Sequence, residues 1–163
     1  PITAHENHRL PHAPGREKAE PRGLLECRLD VRGRPLRVFV THLSHDSDAE
    51  RALQIARVRE ILAACAEPWI LMGDLNLSPN TDAYRALTAA PAAGDRIVDA
   101  WPLAGKGEGH SIGLGGRRPA RIDYILVSGS LAPGIVAGSG RVDVETKASD
   151  HQPVFLQLAV PAS

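Results

Sequence analysis

The chain has 163 residues, 43% apolar and 23% charged, which is the composition of a folded domain and excludes an intrinsically disordered segment. Lysine plus arginine and aspartate plus glutamate both number 19, so the net charge is zero and the broad basic field of a dedicated nucleic-acid binder is absent. No run reaches the roughly 18 consecutive apolar residues that span a bilayer, which points to a soluble chain of open cellular compartment, and Cys27 and Cys65 form no Cys-x-x-Cys motif or disulfide framework.

Residues 1–22 are rich in proline, histidine and charge and follow neither a period of 2 nor one of 3.6, so they read as an exposed loop in which His5, His8 and His12 are solvated. Gly23–Val31 and Leu36–Leu43 are β-rich runs joined by Arg32-Gly33-Arg34-Pro35, the chemistry of a hairpin turn. In the second run the period of 2 puts Val38, Val40 and His42 on one face and Phe39, Thr41 and Leu43 on the other. Ser47–Cys65 reads as a helix opened by a capping box of Ser47 and Glu50, with an apolar stripe through Ile55, Val58 and Leu62. Trp69–Met72 is a continuous apolar run ended by Gly73, the pattern of a buried central strand. A short helix over 82–89 follows, with Thr81 as its cap. The Gly-rich stretch 102–120 is too long for a plain connector and is a candidate substrate loop. Ile122–Val127 and Val154–Val160 read as strands, with a weaker one over 142–145.

Polar clusters stand at the ends of these apolar runs: Thr41-His42-Leu43, Gly73-Asp74-Leu75-Asn76, Arg121-Ile122-Asp123-Tyr124 and Ser149-Asp150-His151. Strand ends are where a rigid scaffold presents functional groups. Taken singly, each cluster is equally well a turn cap, an ion pair such as Arg121 with Asp123, or a hydrogen-bonded core group. Together their residue types suit phosphate-ester hydrolysis. Carboxylate oxygens bind Mg²⁺ or Mn²⁺, a carboxylate can deprotonate water, and a histidine held by a carboxylate can donate to a phosphoryl oxygen.

The strings Val40-Thr41-His42-Leu43, Ile70-Leu71-Met72-Gly73-Asp74-Leu75-Asn76, Arg121-Ile122-Asp123-Tyr124-Ile125-Leu126 and Ser149-Asp150-His151-Gln152-Pro153-Val154 resemble, in order, the downstream motifs of the endonuclease/exonuclease/phosphatase family. Glu20-Pro21-Arg22-Gly23-Leu24-Leu25 is similar to the motif before them. The resemblance implies an α+β fold, the four-layer α/β-β/α sandwich of the deoxyribonuclease-like type, formed by residues 1–163 as one domain. It implies a Mg²⁺- or Mn²⁺-dependent hydrolase whose substrate is a phosphate ester of a nucleic acid, a phospholipid or an inositol phosphate. Asp74 then activates the water, and Asn76 holds the phosphoryl oxygens. His151 contacts the scissile phosphate and is oriented by Asp123, while His42 pairs with Glu20. Asp150, with Asp74 and Asn76, lies at the metal. Arg22, Arg121 and His110 are the candidate substrate contacts, and Arg117 and Arg118 belong to the same basic stretch as Arg121.

One departure bears on activity. The family's first motifs, an asparagine at a strand end and a metal-binding glutamate, are not in this sequence, so the resemblance implies the C-terminal part of such a domain with an incomplete sandwich. A catalytically incompetent remnant is therefore the alternative to an enzyme, and a nucleic-acid-binding module is opposed by the neutral charge.

Overall fold

The computed structural model describes residues 1–113 and 118–159. A six-stranded sheet is built from β1 (Ile2–Arg9), β2 (Gly23–Val31), β3 (Arg34–His42), β4 (Trp69–Asp74), β5 (Ile97–Asp99) and β6 (Asp123–Ser128), in the spatial order β1-β2-β3-β4-β6-β5. All neighbouring pairs are antiparallel except β3 and β4, whose parallel pairing is made possible by the crossover helix α1 (Asp48–Ala63). The helices α2 (Asp82–Thr88) and α3 (Trp101–Ala104) lie between later strands, and β7 (Arg141–Val142) and β8 (Val154–Phe155) form a separate two-stranded ladder. The architecture is α+β, as the motifs led us to expect.

Alternation along the strands sorts the sheet into two faces. Leu24, Phe39, Leu71, Tyr124 and Leu126 bury against Ile55, Val58 and Leu62 of α1 and Leu87 of α2, forming the main core. Each of these leucines contributes about 1.5–3 kcal/mol by leaving water. On the other face, Leu25, Val40, Met72 and Ile125 lie side by side in register. Leu36, Val127 and Leu131 form a smaller buried cluster on that side of the sheet, against which Val38 and Ile70 pack. The hairpin turn is tighter than the sequence suggested. Arg32 and Gly33, with φ of 55° and 82°, make the two-residue connection, and Pro35 already lies in β3 opposite Asp30.

The reading of residues 1–22 as a solvated loop is corrected. Ile2–Arg9 pairs along β2 as an edge strand, and its exposure on both faces hides the period of 2 from sequence reasoning. His8 sits 2.7 Å from Glu26, and His12 faces Glu50, so only His5 of the three histidines lacks a carboxylate partner among the described contacts. The following segment is fastened inward by Leu10 and Ala13, both buried, and by Glu50, which is 1% exposed. Glu50 accepts from the Ala13 backbone N–H at 3.3 Å and from Arg16 Nε at 3.0 Å. The capping box is thus half realised: Ser47 Oγ accepts from Glu50 N–H, while the Glu50 carboxylate serves the segment before β2.

The strand expected over 154–160 is only Val154–Phe155 with an isolated bridge at Leu158, and residue 160 lies outside the described residues. The 142–145 strand shortens to Arg141–Val142, while β5 and α3 were not foreseen because Ile97–Asp99 is too short to show a period. Cys27 and Cys65 are free thiols, partly buried, as the spacing suggested.

Gly73 is the residue on which β3–β4 pairing turns. Its φ is 141°, and a Cβ there would stand 1.9 Å from the Thr41 carbonyl oxygen. Gly73→Ala is therefore expected to destabilise the chain by more than about 3 kcal/mol in a urea melt, since both the backbone angle and the contact must be abandoned. A loss under about 0.5 kcal/mol, the scale of an ordinary surface substitution, would contradict this account of the sheet.

Candidate active site

The register of the sheet assembles the site. His42 is the last residue of β3 and pairs with Asp74, the last of β4, and Asp74 in turn pairs with Asp123, the first of β6. Because residues aligned across neighbouring strands share a face, these side chains project together, at the end of the apolar row of Leu25, Val40, Met72 and Ile125. His151 comes from the loop before β8 and is held against this row by a bridge between its backbone and Ile112. Its Nδ1 is 2.8 Å from Asp123 Oδ2, and its Nε2 is 3.9 Å from Asp74 Oδ2. His42 Nε2 lies 3.3 Å from the same Asp74 oxygen.

Burial decides the electrostatics. Burial raises the Asp74 carboxyl above its ordinary value, the nearby Asp123 charge adds to this, and the Asn76 N–H donated to Asp74 Oδ1 at 2.9 Å opposes it. For His151, burial alone would favour the neutral ring, but the hydrogen bond and charge of Asp123, with Asp74 and Asp150 behind it, raise its pKa above the ordinary 6.5. Asp74, Asp123 and His151 each offer a ligand atom within 4.8 Å of the others, so the cluster could hold a divalent metal ion.

The expected residues are not all brought together. Asn76, with φ of 49°, turns back to give its side-chain N–H to the Leu43 carbonyl at 3.0 Å, so it ties the loop after β3 to the loop after β4 beside Asp74. Asp150 is exposed on the approach to His151. Glu20 does not pair with His42. It is 69% exposed and binds Arg22 at 2.8 Å, and the carboxylate near His42 is Asp74, because sheet register rather than motif order sets that contact. Arg121 is not a substrate contact either. Its guanidinium is buried, 2.7 Å from Asp99 Oδ2 and 4.6 Å over the Tyr124 ring, which makes it a core ion pair. Asp123 is left to His151. Arg22 is 8% exposed and borders a cavity beyond the His42 strand end. His110, after α3, is exposed, as is Arg118, and Arg117 falls outside the described residues.

Sequence reasoning gave Ser111 no role. It is fully buried, its hydroxyl accepts from the backbone N–H of Ile122 at 3.2 Å and of Asp123 at 3.0 Å, and its carbonyl accepts from Gln152 N–H at 2.7 Å. One residue thus fixes the start of β6 and the backbone just after His151. A lone serine in a Gly-rich stretch carries no spacing signal that would mark it.

Comparison with known proteins identifies the family and the fold. The family model for the endonuclease/exonuclease/phosphatase family matches residues 6–151. The chain belongs to the endonuclease/exonuclease/phosphatase family. Its fold is the deoxyribonuclease-like one of this family's solved structures. A mannosyl-6-phosphatase of Bacteroides thetaiotaomicron superposes with a TM-score of 0.72 at 20% identity, covering 98% of this chain and 67% of that one. A family member from Bacteroides vulgatus gives 0.76 at 19% identity, covering 98% and 66%. A humanised TDP2 of D. rerio gives 0.73 at 22% identity, covering 98% and 67%. The chain therefore spans about two thirds of the length of these structures, and at such identities the likeness is one of fold. No curated protein matches the chain in sequence. Among the described residues no helix is long and apolar enough to cross a membrane.

The raised His151 value has a measurable consequence. In metal-free protein the His151 ring should titrate by NMR with a midpoint above 6.5, and Asp123→Asn should lower that midpoint. Since the folded value exceeds the unfolded one, the stability that His151 contributes is complete below its unfolded pKa and is lost as the pH rises through the folded pKa. A midpoint at or below 6.5, or one unmoved by Asp123→Asn, would show that the Asp123 contact does not control this ring.

Proposed function

We propose that the chain hydrolyses a phosphate ester, with Asp74 as the base for the attacking water and His151 as the donor to the phosphoryl group. The observation that carries this is the triangle of Asp74, Asp123 and His151, two carboxylates and an imidazole converging from two adjacent strands and a loop. The family membership and the phosphatase among its structural neighbours support the same chemistry.

Each residue has a task that follows from its surroundings. A carboxyl lifted by burial is a better base than a solvated one, so Asp74 is suited to accept a proton from water. Asp123 engages Nδ1 of His151, which leaves Nε2 facing Asp74, where the protonated ring would give a phosphoryl oxygen a hydrogen bond or a proton. Asn76 braces Asp74 through its backbone N–H and keeps one side-chain N–H for the same oxygens. His42, 53% exposed with Nε2 3.3 Å from Asp74 Oδ2, places a second imidazole at the mouth.

The donor set suits Mg²⁺ or Mn²⁺. Asp74 and Asp123 supply hard carboxylate oxygens on neighbouring strands, and Asp150 and Asn76 stand at the rim. When bound, such an ion neutralises charge on the phosphoryl group and lowers the pKa of water. His151 is engaged by Asp123 through Nδ1 and so remains available to substrate through Nε2.

The test is hydrolysis of a chromogenic phosphodiester and a phosphomonoester with Mg²⁺, with Mn²⁺ and with chelator. His151→Ala and Asp74→Asn, shown to be folded by circular dichroism, are each expected to lose about 100- to 10,000-fold in kcat, the range for a removed acid–base group. Chelation should abolish the activity of the wild type. Activity that both substitutions leave intact would overturn the assignment.

A further inference from the structure

Beside the site, on the far side of the His42 strand end, lies a cavity of about 360 Å³ between the segment before β2 and the loop after β3. It adjoins the chemistry directly through the backbone. Leu43, next to His42, donates its N–H to the Asp74 carbonyl and accepts from the Asn76 side chain, and Ser44 and His45 then turn into the cavity wall. The opposite wall carries Arg16, Lys18 and Arg22.

The charges in this basin are not equivalent. Arg16 is committed to Asp46, 2.7 and 2.8 Å from its two oxygens, and to Glu50, which is buried. Asp46 is held down to about 2 by that Arg16 hydrogen bond, with Ser44 adding to it, so on the inner wall one guanidinium is shared by two carboxylates and has no capacity left for a ligand. What remains at the mouth is Lys18, for which no partner is found among the described contacts, and Arg22, against the single carboxylate of Glu20. Arg22 is buried except for 7% of its side chain, so its guanidinium is fixed in place, with its NH2 nitrogen 3.5 Å from His45 Nδ1. Glu20 is 69% exposed, and an exposed carboxylate holds its partner weakly. A fixed, buried cation whose anion is a loose surface side chain is a place where a ligand's anion can take over. Arg22 presents a planar fork suited to phosphate, with Lys18 as a further donor and the exposed ring of His45 lining the same cavity.

We propose that this basin is a second anion site that receives a phosphate group of the substrate other than the one being hydrolysed, with Arg22 and Lys18 as its donors and Glu20 as the displaceable stand-in. The inference rests on the phosphoesterase reading above, and it narrows the substrate class to esters that carry a further phosphate. Singly phosphorylated esters would use only the catalytic triangle.

The experiment is calorimetric binding to the full chain in the His151→Ala background with Mg²⁺, so that ligand is retained. The ligands are a nucleoside 3′,5′-bisphosphate, the corresponding 3′- and 5′-monophosphates, and inorganic phosphate. The bisphosphate should bind at least about tenfold tighter than either monophosphate, the scale of one charge-assisted contact. Lys18→Gln and Arg22→Gln should each erase most of that advantage, while Arg57→Gln, which removes a positive charge paired with Glu60 on the exposed side of α1, should not. Equal affinities, an advantage indifferent to both substitutions, or one lost equally in Arg57→Gln would overturn the proposal. So would binding of inorganic phosphate in the basin without any gain for the bisphosphate, which would mark a site for free anions. Lys18 is exposed, so its variant decides the matter if the Arg22 variant does not fold. A Lys18-dependent advantage in a chain whose wild type hydrolyses no ester would sink the catalytic reading and leave the anion site standing.

Discussion

The close approach of β4 to β3 at Gly73 is the constraint on which the rest depends. A side chain there would run into the Thr41 carbonyl oxygen, and the φ of 141° is one that only glycine adopts freely. With no Cβ in the way, the parallel ladder runs to the strand ends, and His42 comes to rest opposite Asp74. The antiparallel ladder on the other side of β4 then sets Asp123 opposite Asp74. A slip of one residue in either ladder would send one of these side chains to the helix-covered face, so the site inherits its precision from backbone pairing. Ser111 extends the same logic to His151, because its hydroxyl and carbonyl hold two separate segments to one buried point.

A second fixed point is Glu50 at the start of α1. Its buried carboxylate would be costly alone, and it is satisfied by Ala13 N–H and Arg16, with His12 nearby. Gln54, fully buried one turn later, accepts from Ser44 N–H and lies 3.4 Å from the Pro11 carbonyl. Helix α1 therefore does more than bridge two parallel strands. Its polar first turns position both the segment carrying Arg16, Lys18 and Arg22 and the loop carrying His45, which are the two walls of the basin.

The sequence made legible those features whose cause is local or periodic. Alternation assigned His42 to the face of Val38 and Val40, and the apolar run of 69–72 located the central strand that delivers Asp74. The Ser47 and Thr81 caps were readable because capping depends on residues within one turn. Partners set by the fold were not readable. Glu20 and His42 belong to adjacent motifs yet do not meet, and Arg121 stands two residues before Asp123 yet finds Asp99 on β5, a strand too short to announce itself. The strand Ile2–Arg9 was hidden for a related reason: an edge exposed on both sides leaves no apolar alternation to read.

The site and the core differ in how they meet their electrostatic costs. In the core, Arg121 and Asp99 face each other in burial, with Tyr84 Oη donating to the same Asp99 oxygen at 2.9 Å, so each charge is compensated where it stands. In the site, two carboxylates are forced side by side by strand register, and their compensation comes from His151, on a loop, and from His42, which is half exposed. Burial and the neighbouring charge therefore leave Asp74 with a raised pKa that a bound cation would relieve. That imbalance costs stability and buys no packing, and it lies where two ladders converge on the open end of the sheet. An arrangement that leaves anionic groups undercompensated at a rigid, accessible edge is suited to holding a cation and activating water, whereas the Arg121–Asp99 pair, satisfied and enclosed, is suited only to holding the fold.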